Sequence, residues 1–562
     1  MSLNASLNIG RTGLLANQSA LQTVGNNLAN ATTPGYHRQR VDLEAMPGAR
    51  GVDGQFLGRG VQIQSISRMI DEALEARLRN AGSDLAGSEM RQQLLAQVEA
   101  IHGQYNDANL TSHLDALFDA FSAVANNPQS GGERMQLVEQ AQTLSRYLQE
   151  QRSRLGDVHQ QVNQSITHTV GHVNGLLDEI ADMNRTIATS EAGSAENGSL
   201  RDRRDAKLSE LAQYIDVSTN ERDGQVDVHV GSTPLVLGTR SRGLELHSDG
   251  DEPGRLVVGD NREPVNPSSG ELAAMMRFAQ DDLPDAAAHL DTLAHELIWQ
   301  VNRVHSQGQG LELAGEVTGA FGVADPDAPL NGEDAELAFV PGHGSFKVHV
   351  SNPGGDQRKT TTIGVDLEAS NPSPMTMNDL VAALDGVEGL SASLSPDHRL
   401  RLSAGDGQVV SFSEDSSGVL AALGVNTFFR GDDASTIAVN EPVRGNPSRV
   451  AASATHEAGD NTNAHALAAL REQPIAALNG QSLSGYWHRH VEDHASRLSG
   501  VREQAEADSV VHDNLKASQQ SVSGVNVDEE AIDLLRHQRG FQASARFLTA
   551  IDEMMQTILN MV

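Results

Sequence analysis

The side chains best placed for metal chemistry are histidines. His490 and His494 stand four residues apart, the spacing that turns two imidazoles to one face of a helix, with Glu492 and Asp493 between them and His488 nearby. The surrounding charges make a solvated helix face the expected setting. His295-Glu296-Leu297-Ile298-Trp299 opens like the zinc-protease helix motif, but the second imidazole must fall where Trp299 stands, so the motif fails. Zero cysteine closes thiolate catalysis, disulfides and cysteine-ligated metal or iron–sulfur sites. The chain also contains no phosphate-cradling Gly-Lys-Ser/Thr loop, no Gly-x-Ser-x-Gly elbow and no isolated carboxylate pair in an apolar frame. The expectation is therefore no catalytic residue, no metal and no cofactor: a protein that is not an enzyme and works through its surfaces.

The 562 residues predict three or four domains, since single cores seldom grow beyond roughly 250–300 residues. A formal charge of -34 repels phosphate backbones and excludes nucleic acid as a partner. Aromatic residues are 3% of the chain, which points to helices packed through aliphatic side chains. No run reaches the roughly 18–20 apolar residues of a membrane span, and residues 1–20 lack the apolar core of a secretory signal. No membrane association is expected, and a secreted chain would need another export route.

The elements that must build such surfaces are clearest at the two ends. Leu7, Leu14, Leu21 and Leu28 recur every seven residues, with Leu3 and Val24 on an adjacent row. Leu534, Phe541, Leu548, Met555 and Val562 repeat the pattern at the other end, with Ile551 and Ile558 beside them. Each row is interrupted, the first by Gly10 and Asn17 and the second by His537 and Ser544, so neither helix should stand alone in water. The expectation is an end-to-end pair that orders on assembly.

Asn26-Asn27-Leu28-Ala29-Asn30-Ala31-Thr32-Thr33-Pro34-Gly35-Tyr36 stops the first helix, because its side chains compete for backbone hydrogen bonds and Pro34-Gly35 forbids continuation. Ser523-Gly524-Val525-Asn526-Val527-Asp528-Glu529-Glu530 breaks the chain before the last helix and sets negative charge at that helix's start. These two stretches resemble the terminal signatures of the flagellar rod, hook and hook-associated axial proteins. Leu200-Arg201-Asp202-Arg203-Arg204-Asp205, followed by a hairpin at Val226–Val230 and by Pro234–Gly238, resembles the middle of the hook-associated branch.

Between the ends, residues 67–124 read as helical, and Ile166, Val173, Ile180 and Ile187 mark a core-facing row on a helix over 158–189. A helix from Gly270 to about Val304 is interrupted near Pro284, and another runs from Gln481 to about Gln520. From about Gly319, short alternating runs predict strands, with one helix at Met377–Leu384. The predicted fold is mainly α with inserted β-rich domains, a discontinuous elongated helical bundle with coiled-coil-like ends formed by both termini. Residues 1–64 and 521–562 are its terminal coiled-coil domain, 65–215, 266–318 and 431–520 its helical core, 216–265 a small β subdomain and 319–430 an outer β-rich domain.

The resemblance implies a structural subunit of the bacterial flagellum that connects hook to filament. It implies self-association, contact with the hook protein and with the next hook-associated protein (hook-associated protein 3), and type III export. An export chaperone would hold the last helix on the row of Leu534, Phe541, Leu548 and Met555. The subunit would be cytoplasmic before export and extracellular in the flagellum afterwards, without a cleaved signal peptide. The interface residues expected are Leu7, Leu14, Leu21, Leu28, Leu534, Phe541, Leu548, Ile551 and Met555. Two alternatives remain: another axial protein of hook or flagellin type, or an exported protein with an active domain at about 319–430.

Overall fold

The computed structural model describes residues 3–561 except 51–55, 104–108, 193–195, 248–253, 260–261, 355–356, 369, 372, 456 and 458. Val562 of the last seven-residue row lies outside the described residues. In chain order the helices are α1 (Leu3–Ala29), α2 (Glu72–His102), α3 (Leu110–Asn126), α4 (Gly131–Ser190), α5 (Gly198–Tyr214), α6 (Glu271–Arg277), α7 (Leu283–His305), α8 (Met377–Asp385), α9 (Val419–Ala422), α10 (Glu441–Gly445), α11 (Thr462–Ala469), α12 (Leu483–Ser523) and α13 (Val527–Met561). Among the described residues no helix is long and apolar enough to cross a membrane.

Contacts divide the chain into two compact units, residues 1–94, 162–280 and 499–562 in the first and 95–161 and 281–498 in the second. In the first unit α1 pairs with α13. Between α1 and α2, within the residues assigned to the terminal domain, Gln39–Ala45 and Val61–Arg68 form an antiparallel hairpin, and its second strand takes Ser67 and Arg68 out of the helical run. Pro34-Gly35 ends α1, and the β-branched Val41, Val61, Ile63 and Ile66 that follow favour the pleated conformation. The row Ile166, Val173, Ile180 and Ile187 is buried on α4. Ser218–Ser241 folds as four antiparallel strands, in which Val226, Val228 and Val230 face inward and alternate with half-buried Gln225, Asp227 and His229.

The helical reading of 67–124 as one run is also corrected. It separates into α2 and α3, because Gly103 adopts φ +60° after α2 and Asn109 starts α3 afresh, its side chain accepting from Ser112 N at 2.9 Å. The interruption near Pro284 is a π turn at Phe278–Asp282, a wider winding that absorbs the missing proline N–H and its ring.

In the second unit, residues 316–413 carry two three-stranded antiparallel sheets, one of Glu316–Gly322, Arg399–Ala404 and Leu390–Leu394, the other of Lys359–Val365, Gly344–Ser351 and Val409–Ser413. Phe346, Val348, Val365, Leu402 and Phe412 bury against Met377, Leu380 and Leu384 of α8. Thr376 and Asp379 close a capping box that starts α8 where the sequence places it.

Candidate assembly site

The two terminal motifs meet. Gly35 takes φ +74°, the left-handed turn that releases the chain from α1 and brings Tyr36, His37 and Arg38 back beside it. At the other end Gly524 follows α12 where a β-carbon would strike the Gln520 carbonyl, and Asn526 Oδ1 accepts from Asp528 N at 3.0 Å to start α13.

Asn27, 1% exposed, organises the join. Its Oδ1 accepts from the Tyr36 hydroxyl at 2.8 Å and from Gln39 N at 3.0 Å, while Nδ2 donates to Gln39 O at 2.9 Å and to Glu530 Oε2 at 3.0 Å. Arg38 Nε donates to Glu530 Oε1 at 2.6 Å and its Nη1 to Glu529 Oε2 at 3.1 Å. Arg38 N also donates to Ser523 O at 2.9 Å. The buried Glu530 carboxylate is thus held by a cation and an amide donor, the arrangement that a desolvated charge requires. Burial first, then the Asp202 and Glu530 charges, push the Tyr36 hydroxyl up to about 12.

The central stretch joins the same place. His37 Nδ1 donates to Asp202 Oδ1 at 2.8 Å, and Glu75 Oε1 lies 3.4 Å from Nε2. Burial works to lower the His37 pKa, but hydrogen bonds to Asp202 and Glu75 outweigh it and raise the value to about 9. Arg68 reaches Asp202 at 2.9 Å and Asp205 at 2.7 Å. Donor atoms of His37, Asp202 and Asp205 lie within 4.8 Å of one another, as a metal site needs, yet Arg68 already supplies the balancing cation and both His37 nitrogens face carboxylates. Geometry and charge therefore favour an ion-pair network. Arg204, fully buried, donates to Asn184 Oδ1 at 3.2 Å, Gly224 O at 2.7 Å and Glu221 Oε2 at 2.8 Å, tying α5 to the hairpin turn after it.

The helix pair itself runs through residues read as flaws. A β-carbon on Gly10 would stand 2.8 Å from Leu548 Cδ2, one on Gly13 3.1 Å from Ser544 Oγ and one on Gly540 2.5 Å from Asn17 Oδ1. Asn17 Oδ1 also lies 3.2 Å from His537 Nδ1. Gly10, Gly13, Asn17, Ala20, Val24 and Asn27 recur at steps of three and four along this antiparallel seam.

The leucine rows are displaced from the centre of the seam: Leu7, Leu14, Leu21, Leu28, Leu534, Phe541, Leu548 and Met555 are half-buried, and Ile551 alone of the expected interface set is fully buried. Of the motif residues, Asn27 and Ser523 are buried, Asn30, Tyr36, Gly524 and Val525 half-buried, and Asn26, Ala29, Pro34, Gly35, Asn526, Asp528 and Glu529 exposed. His37, Arg38, Glu75, Gly13 and Gly540 carry no local signature of contact, and Gly10 looks like a flaw in its row. The three-four spacing of small residues was the one signal that could have found the glycines. His490 and His494 are buried, each 6% exposed, which corrects the expectation of a solvated face; His488, Glu492 and Asp493 are exposed. His295 stacks on Phe339 and binds Asp432 O at 2.9 Å.

Comparison with known proteins matches the same segments. Residues 95–321 match the family described as flagellar hook-associated protein FlgK helical domain, residues 518–561 the flagellar basal body rod FlgEFG protein C-terminal family and residues 7–37 the flagella basal body rod protein family. Flagellar hook-associated protein 1 of Salmonella typhimurium is 24% identical over 574 residues, covering 99% of this chain and 100% of its own. That of Escherichia coli is 23% identical with the same coverage, and that of Bacillus subtilis 28% identical over 354 residues, 56% of this chain and 69% of its own. The solved structure of the flagellar hook junction protein FlgK from Burkholderia pseudomallei shares the fold, with a TM-score of 0.50 at 17% identity over 80% of this chain and 100% of that one.

Proposed function

We propose that this chain, which belongs to the flagellar axial proteins and within them to the hook-associated protein 1 family, is a structural subunit of the bacterial flagellum at the junction between hook and filament. The observation that carries this reading is the bonded pair of termini. A rod-type segment, 7–37, is joined through Asn27 to a rod-type segment, 518–561, with the hook-associated helical domain inserted between them.

The work is done by apolar surface. Leu15, Ile532, Leu535, Phe547, Met554, Ile558 and Leu559 are exposed on the helix pair, beside the half-buried rows of Leu7, Leu14, Leu21, Leu28, Leu534, Phe541 and Met555. Each such side chain covered by a neighbour contributes roughly 1.5–3 kcal/mol, so a few suffice to drive association. Further copies, the hook protein and hook-associated protein 3 are the neighbours that supply the cover. Before assembly, an export chaperone covers Leu534, Phe541, Leu548 and Met555 in the cytoplasm, and the type III channel delivers the chain to the cell exterior.

Deleting the gene in the host bacterium and imaging its flagella tests the proposal. Hooks without filaments are expected, restored by the wild-type gene, with antibody label confined to the hook tip. Normal filaments in the deletion strain, or label along the whole filament, would overturn it.

A further inference from the structure

Four histidines from three helices of the second unit converge in its core. His102 ends α2, His289 lies on α7, and His490 and His494 lie one turn apart on α12. His102, His490 and His494 are 3%, 6% and 6% exposed. Ring centroids of His490 and His494 stand 5.1 and 5.2 Å from that of His102, and His289 stands 4.2 Å from His490.

We propose that His102, His490 and His494 form a binding site for a divalent transition metal of the imidazole-preferring class, zinc, nickel or copper(II), with His289 at its edge. Neither Nδ1 nor Nε2 of His102 has a hydrogen-bond partner, nor does Nε2 of His490, although all three atoms are buried. A buried imidazole always has one N–H and one lone pair to place, and leaving them unmet is costly. A metal ion answers the lone pairs of several rings at once. His494 Nε2 is 3.0 Å from Leu95 O, so it donates there and leaves Nδ1 as the lone pair facing away. Such an outer hydrogen bond is the usual means of fixing the tautomer of a metal-bound imidazole.

The spacing also fits. Imidazoles sharing one tetrahedral ion at about 2.0–2.1 Å have centroids about 5 Å apart. As the rings stand, their nitrogens are not all within 4.8 Å of one another; among the described residues the trio that meets this distance is His37, Asp202 and Asp205. The terminal side-chain torsion of histidine is broad, so ring rotation rather than helix movement can bring them together. Charge beside the cluster does not oppose a dication: Arg497, the cation near His490 and His494, is itself within 3.3 Å of Asp282 and 3.4 Å of Asp285.

The test uses the full chain after chelator treatment, titrated with zinc by calorimetry and with cobalt by visible absorption. The expected result is about one equivalent bound, with the bands of four-coordinate cobalt, and a loss of about tenfold or more in affinity in His102→Gln and in His490→Gln. His159→Gln, on an exposed helix face, should bind as wild type. Absence of binding, or binding equal in all three variants, would overturn the proposal. Should His102→Gln fail to fold, the rise in melting temperature caused by zinc decides: present in wild type and absent in His494→Gln supports the site, and present or absent in both overturns it.

Discussion

Asn27 and Glu530 lie 503 positions apart in the chain and are joined by a buried hydrogen bond of 3.0 Å. The bond closes the molecule on itself at the place where the first helix ends and the last begins. Because Asn27 also satisfies Tyr36 and Gln39, its side chain makes four hydrogen bonds to three residues at once.

Asn27→Ala should leave the buried Glu530 carboxylate with one donor fewer and strand the Gln39 amide. The expected loss is about 2 kcal/mol, roughly a thirtyfold fall in amide protection over residues 527–561 measured by hydrogen exchange. Unchanged protection there would show that the seam alone holds the helices.

The His37 cluster predicts a pH dependence. Its folded pKa, about 9, lies above the ordinary value of 6.5, so the stabilisation is complete below pH 6.5 and is lost as pH rises through 9. The shift corresponds to about 3 kcal/mol. Denaturant unfolding of wild type and His37→Gln across this window should show their difference shrinking with rising pH, and a constant difference would refute the assignment.

Gly540→Leu should separate α1 from α13, because a side chain there meets Asn17. Overpacking of this kind costs about 1–3 kcal/mol, and it outweighs the roughly 1 kcal/mol that leaving glycine returns to a helix. Faster exchange is expected in both helices and none in α4; an unaltered α1 would count against the close approach.

Arg204→Met removes a fully buried cation while leaving Asn184 and Glu221 in place. A loss of about 3 kcal/mol is expected, seen as a lower melting temperature and faster exchange in the strands of residues 218–241. A variant that melts as wild type would mean that the clamp contributes nothing net.

Leu535→Ser and Leu559→Ser alter exposed positions, 53% and 75% accessible, so monomer stability should stay within about 0.5 kcal/mol. Co-assembly with purified hook tips should nevertheless fall. Equal assembly would move the interface to another face.

Much of the local structure was readable in the residues. The strand alternation of Val226–Val230, the helix at Met377, the break at Pro34-Gly35 and the buried row of Ile166, Val173, Ile180 and Ile187 all depend on neighbours a few positions away. The hairpin at residues 39–68 is not legible locally, because its strands are half-exposed and their pairing spans a long connection.

Periodicity and turn chemistry are properties of adjacent residues, so the long helices, the strand at Val226–Val230 and both terminal motifs follow from the residues alone. Which faces meet is set by packing between segments far apart in the chain. Gly10, Asn17, His537 and Ser544 look like defects in a leucine pattern, yet small and polar groups let two backbones approach and bond where leucines would hold them apart. His102 likewise becomes a neighbour of His490 only when α2 and α12 lie side by side. Such partnerships depend on steric fit and on charge gathered from hundreds of positions, and no local pattern encodes them.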